Sequence, residues 1–120
     1  MGTKFWPGPL TIVTKANLDL IPNVITAETG YVGIRIPNHT VALELLQKAD
    51  LPIAAPSANK FGHVSPSRAE HVYKDFHLDS EVLILDGNSC SFGIESTVVK
   101  INDNKNVTII RKGGISALRL

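Results

Sequence analysis

Arg35 and Arg111 each close a run of mostly apolar residues, YVGIR and VTIIR, so each should stand at the end of a strand. A guanidinium in such a place is costly unless it is paired. Its partner is either an anionic ligand, phosphate or carboxylate, or one of the chain's eleven acidic residues. A second stretch, LPIAAPSANKFGHVSPSRAEHV at residues 51–72, sets Ser57, Asn59, Ser65 and Ser67 between an apolar run and a helical pattern. Short side chains there let backbone and hydroxyls approach a ligand closely, and the free N–H groups of a helix start favour an anion. The same residues serve equally as a solvated turn and a Ser-Pro helix cap, and both readings stand. A third stretch, GIEST at residues 93–97, is either a glycine hinge that leads Ser96 and Thr97 into a strand as ligand hydroxyls or a bulge before ordinary strand threonines. Lys112, Gly113 and Gly114 form a small nest or a turn.

Other chemistry finds little support. The four histidines (His39, His63, His71 and His77) show no HxH or HxxxH pair, so no metal centre is expected from them. His71 and Asp75, at i and i+4, read as a helix-surface pair. The single cysteine, Cys90, excludes an internal disulfide and reads as a free structural thiol. Neither a GxxxxGK[ST] loop nor a GxSxG elbow is present, so no serine nucleophile is indicated. Twelve Lys plus Arg against eleven Asp plus Glu leave a net charge of +1, too little for a strong sequence-independent field for nucleic acid. With 43% hydrophobic residues and no apolar run near the ~20 residues needed to span a bilayer, the composition fits a soluble globular protein without a membrane segment. The N-terminal MGTKFWPGPL lacks the pattern of a signal peptide, and a cytoplasmic location is the expectation.

These side chains need elements to hold them. FWPGP at residues 5–9 should be a stiff loop feeding a strand at residues 10–14. Residues 17–30 read as a polar connection, with room for a short strand near Val24, and residues 31–36 as a strand stopped by Pro37. Asn38 or Thr40 can cap a helix over residues 41–49 whose apolar face is Val41, Leu45, Leu46 and Ala49. Residues 53–55 and 82–85 read as short buried strands. Ser65 and Pro66 should open a helix over residues 67–76 that buries Ala69, Val72 and Phe76. Residues 96–101 and 107–110 flank the turn at 102–106 as a hairpin. The pattern predicts one α/β (α+β) domain over residues 1–120, with a mixed sheet.

Seven motifs in order, KFWPGPLT (4–11), GIRIPNH (33–39), APSAN (55–59), SPSRAEHV (65–72), ILDG (84–87), GIESTVV (93–99) and RKGGIS (111–116), resemble the YrdC-like family, the threonylcarbamoyl-AMP synthases. The resemblance implies a YrdC-like twisted mixed sheet with flanking helices. It also implies a nucleotidyltransferase that makes L-threonylcarbamoyladenylate from L-threonine, bicarbonate and ATP with Mg²⁺, releasing pyrophosphate. The product would pass to tRNA threonylcarbamoyl-transfer proteins for modification of adenosine 37. Carried over by motif, Arg35, Ala55, Ser96 and Thr97 would hold threonine, and Tyr31, Ser57, Asn59, Ser65 and Arg111 would lie with ATP. The nucleophile would be the substrate's own carbamate, so no catalytic side chain is expected.

The family's upstream Lys-x-Arg motif is not in this sequence, and the chain resembles the C-terminal portion of the domain, with the N-terminal part missing. Phe61 stands where the family prefers a small residue, and Tyr31 is larger than its counterpart. The family resemblance also raises binding of double-stranded RNA, against which the dispersed cations argue, and a non-catalytic fragment with an open sheet edge.

Overall fold

The structure, a computed structural model, describes residues 1–90 and 95–120. Its elements run α1 (Gly2–Phe5), β1 (Leu10–Lys15), β2 (Tyr31–Ile34), α2 (Thr40–Ala49), α3 (Ala69–Phe76), β3 (Thr97–Ile101), β4 (Val107–Arg111) and a 3₁₀ turn (Ala117–Arg119). They divide into two compact units, Met1–His39 with Ile94–Leu120, and Thr40–Gly93.

The first unit is a four-stranded mixed sheet in the order β2-β1-β3-β4. β1 pairs antiparallel with β2 (Ile12 opposite Ile34) and parallel with β3 (Leu10 opposite Thr97), and β3 pairs antiparallel with β4 across the expected turn. The alternation of side chains along a strand sends Leu10, Ile12, Thr97 and Val99 to one face. There, Leu10, Ile12 and Val99 meet Ile115 to form a buried core, flanked by Phe5, Trp6, Ile101 and Leu120. The FWPGP lead-in is tied to this layer. Trp6 Nε1 donates to Leu10 O at 2.8 Å, and Thr97 N donates to Pro9 O at 2.9 Å. Residues 2–5 form a short helix, which takes Phe5 out of the expected FWPGP loop, and the segment near Val24 is a chain of turns, not a strand.

The second unit holds α2 and α3. No residue of either helix is fully buried. Val41, Leu46 and Ala49 of the expected α2 face are half-buried, and Leu45 is exposed. Residues 53–55 and 82–85 are not strands. A strand exists through its ladder, and neither segment finds a strand partner among the described residues. Their apolar side chains stay in water, with Leu83 93% exposed. The helix expected from Ser67 begins two residues later, at Ala69, with Arg68 as an extended N-cap and no side-chain cap bond. Ser67 O accepts the amide of Cys90 at 2.9 Å, and the helical bonding starts with His71 N to Arg68 O. Ser65 is therefore not the cap. Ala69, Val72 and Phe76 are half-buried.

Candidate functional site

In the first unit the alternation that builds the core also builds a polar face. Tyr31 stands opposite Lys15, Gly33 opposite Val13, Val13 opposite Lys100, Thr11 opposite Val98, and Val98 opposite Arg111. All share the sheet face turned away from Leu10 and Val99. Gly33 leaves this face low at its middle, since a Cβ there would come within 3.3 Å of Thr11 Cγ2. Arg35 follows β2 directly, and its Nε donates to Gly8 O at 3.1 Å, so the FWPGP loop seats the guanidinium. Gly8 N in turn donates to Ile36 O. Among the described residues Arg35 has no carboxylate partner.

Arg111 is held quite differently. Its Nε donates to Ser96 O and its Nη2 to Ser96 Oγ, both at 3.1 Å, while Nη1 pairs with Glu95 at 2.6 Å. Ser96 Oγ also lies 2.7 Å from Thr11 Oγ1. Arg111, Ser96 and Thr11 thus form one connected hydrogen-bond chain over the sheet. Thr97 points the other way, into the core. Its hydroxyl donates to Ile115 O and accepts from Ile115 N, both at 2.9 Å, and the residue is fully buried. Both hydrogen-bonding functions of that hydroxyl serve the sheet. Tyr31 presents its ring to Lys100, whose Nζ sits 3.8 Å from the centroid, a cation–π contact on the same face.

In the second unit Ala55, Ser57 and Ser65 are exposed and Asn59 is half-buried. The loop that joins Ser57 to Ser65 turns tightly at residues 60–63, where His63 N donates to Lys60 O and Gly62 takes a φ of 81°. Asn59 Nδ2 donates to the carbonyls of Lys60 and His63 at 3.1 and 3.0 Å, binding the turn from within. Its Oδ1 is buried and has no partner among the described residues, an unmet acceptor that costs about 1–3 kcal/mol.

Asp75 of α3 binds the turn from the other side. Its Oδ2 accepts Lys60 N–H at 3.0 Å, and its Oδ1 accepts from His63 Nδ1 at 2.8 Å. The expected pair between His71 and Asp75 does not form. Asp75 is taken by the turn, and His71 Nδ1 accepts the Ser67 amide at 3.4 Å.

The Lys60 amide, with help from His63 and against some desolvation, holds the Asp75 carboxyl below its ordinary value of 3.8. A carboxyl whose pKa is lowered by folding contributes order above its unfolded pKa and loses it as pH falls through the lower, folded value. The midpoint of the Lys60 amide shift with pH should therefore fall below 3.8. A shift complete at higher pH in an NMR titration would contradict the contact.

Of the sequence-derived residues, the first unit carries Tyr31, Arg35, Ser96, Thr97 and Arg111, and the second carries Ala55, Ser57, Asn59 and Ser65. Gly93, the proposed hinge, and Ile94 lie outside the described residues. Sequence reasoning missed Thr11, Glu95, His63 and Asp75. Thr11 was findable, since it sits inside the KFWPGPLT motif at the same strand parity as Val13 and Lys15. Among the described residues, no group of three or more His, Cys, Asp or Glu side chains could hold a metal ion, and no helix is long and apolar enough to cross a membrane. Cys90 is free and exposed.

Comparison with known proteins identifies the family. Residues 1–113 match the model of the Sua5/YciO/YrdC family, described as telomere recombination. A threonylcarbamoyl-AMP synthase of Pyrococcus abyssi is 42% identical over 115 residues, which cover 96% of this chain and 33% of that protein. One of Schizosaccharomyces pombe is 48% identical over 118 residues, covering 94% and 28%. The crystal structure of P. abyssi Sua5 complexed with L-threonine superposes with a TM-score of 0.87 at 38% identity, over 98% of this chain and 34% of that one. Escherichia coli YciO shares the fold, with a TM-score of 0.75 at 22% identity. The chain thus spans about a third of the length of these two synthases, and it belongs to the Sua5/YciO/YrdC family.

Proposed function

We propose that this chain carries the threonine- and adenylate-binding part of an L-threonylcarbamoyladenylate synthase, acting in tRNA N6-threonylcarbamoylation. The observation that carries the reading is Arg35, a guanidinium seated by Gly8 O, with no carboxylate partner among the described residues. Its remaining N–H groups form a fork suited to the carboxylate of an amino acid. The likeness to a protein solved with L-threonine supports that ligand. Ser96, already polarised by Arg111, offers a hydroxyl on the same unit, Thr97 steadies the strand from the core side, and Ala55 is assigned to threonine by its motif. Tyr31, Ser57, Asn59, Ser65 and Arg111 attend ATP.

The chemistry asks for positioning and charge neutralisation more than for a side-chain nucleophile. The threonine amine and bicarbonate give a carbamate with loss of water, and one carbamate oxygen attacks the α-phosphorus of ATP while the bond to pyrophosphate breaks. Mg²⁺ would enter with the nucleotide as part of the substrate. The reaction would proceed in the cytoplasm, where ATP and tRNA are found.

Titration calorimetry of the chain with L-threonine tests the amino-acid half. Arg35→Ala should weaken binding about 10- to 100-fold, the loss of a charge-assisted bidentate contact worth about 1.5–3 kcal/mol. Arg35→Lys, which keeps charge but not the fork, should fall between. Equal affinity in all three proteins would refute the assignment. Pyrophosphate release that needs ATP, threonine, bicarbonate and Mg²⁺ together, assayed with a polypeptide carrying the Lys-x-Arg segment, tests the whole reaction.

A further inference from the structure

The turn at residues 60–63 is the middle of the segment that joins Ser57 to Ser65, the two hydroxyls assigned to ATP. It is held from both sides. Asn59 Nδ2 bonds the carbonyls of Lys60 and His63, and Asp75 receives the Lys60 amide on one oxygen and the His63 ring on the other. Because Asp75 is an ionised acceptor, His63 must present Nδ1–H to it. The Asp75 side chain is 15% exposed, whereas that of His63 is 56% exposed, so the carboxylate is the fixed half of the pair and the imidazole reaches in to it. α3 supplies that fixed point from its last turn, far along the chain from the loop it restrains. These two bonds are the side-chain ties between the turn and α3 among the described residues. Apolar packing adds little to the turn, since Phe61 within it and Val64 beside it are exposed.

We infer that Asp75 and His63 are positioning residues for the nucleotide, clamping the 60–63 turn to α3 so that Ser57 and Ser65 are presented at a fixed separation. The inference rests on the assignment of these serines to ATP and goes beyond it. Neither Asp75 nor His63 touches the ligand. Their effect passes through the loop backbone, and it should fall on ATP far more than on threonine, whose polar contacts, Arg35 and Ser96, belong to the other unit and whose Ala55 precedes the clamped segment. Preorganisation of this kind raises affinity by removing the ordering cost from the binding step.

The test is calorimetric titration of the full chain with Mg·ATP and, separately, with L-threonine. Asp75→Ala should weaken ATP binding about tenfold or more and change threonine affinity far less. His63→Ala removes one of the two bonds and should weaken ATP binding by a smaller factor, about two- to fivefold. The double variant should be no worse than Asp75→Ala, because the imidazole acts only through that carboxylate. His63→Gln, which restores a donor, should recover part of the loss. If Asp75→Ala does not fold, His63→Ala and His63→Gln, at an exposed position, decide the matter alone. Unchanged ATP affinity in the variants overturns the positioning role and leaves the nucleotide assignment standing. A parallel loss of ATP and threonine affinity overturns it as well, since that is what general destabilisation would give. An unsubstituted chain that binds threonine but no ATP overturns the nucleotide assignment and the positioning role together.

Discussion

Gly113→Ala should lower the urea midpoint of the chain and detach Arg111 from Ser96 in the same step. A Cβ at this position would run into Glu95 O, Ser96 C and Thr97 N, all of them backbone atoms, with no flexible side-chain end to move aside. The glycine thus sets how closely the chain after β4 can lie on the start of β3, and Gly114 N completes the approach by donating to Glu95 O at 3.2 Å. Overpacking against backbone belongs at or above the top of the usual range, about 3 kcal/mol. The displaced strand start carries Ser96, which holds two of the Arg111 bonds, so threonine affinity should drop along with stability. An unchanged midpoint in chemical denaturation would show that the backbone there can relax, and the close approach would then have no energetic meaning.

Leu10→Ala is the second large effect, and its reason is scarcity. Among the described residues the buried apolar core is Leu10, Ile12, Val99 and Ile115, and Leu10 is 0% exposed. Removing a buried leucine side chain costs about 2–5 kcal/mol, the transfer term plus the cavity that remains. A core this small has few neighbours to collapse into the space, which places the loss in the upper half of that range. Against a total stability of about 5–15 kcal/mol this should leave the first unit marginal at 37 °C. Leu45→Ala, at a position 47% exposed on α2, should by comparison move the midpoint little. Circular dichroism melts of the two variants side by side measure the contrast, and similar losses in both would mean that the core is not where the stability resides.

The sheet of the first unit was largely legible in the sequence, because its signals are local. FWPGP precedes β1, Pro37 follows β2, and the polar NDNKN turn separates β3 from β4. Residues 53–55 and 82–85 carry equally good local signals and form no strand, because pairing is a property of the neighbour as much as of the segment. The placement of Arg35 and Ser96 beside strands was legible, because a motif and a strand meet there. Thr97 shows the limit. Its hydroxyl looks as available as that of Ser96 until alternation is traced through Val99 to the core. Asp75 was hidden for a different reason. An i, i+4 neighbour at His71 gave it a plausible local partner, whereas its actual partners, Lys60 and His63, come from a separate loop.

The central rungs of the sheet join residues 10–13 to residues 97–100, with the whole second unit threaded between them. On a ribosome this order has a cost in time. β1 and β2 emerge before β3, and they must wait, without the β3 side of the core over Leu10 and Ile12, until the polypeptide has been extended by the entire intervening segment. Closing so long a loop before any parallel hydrogen bond is gained makes the joining of β1 to β3 the slow event in folding. During synthesis the nascent chain is therefore at its most adhesive between the appearance of β2 and that of β3, which is the interval in which a chaperone would have most to do.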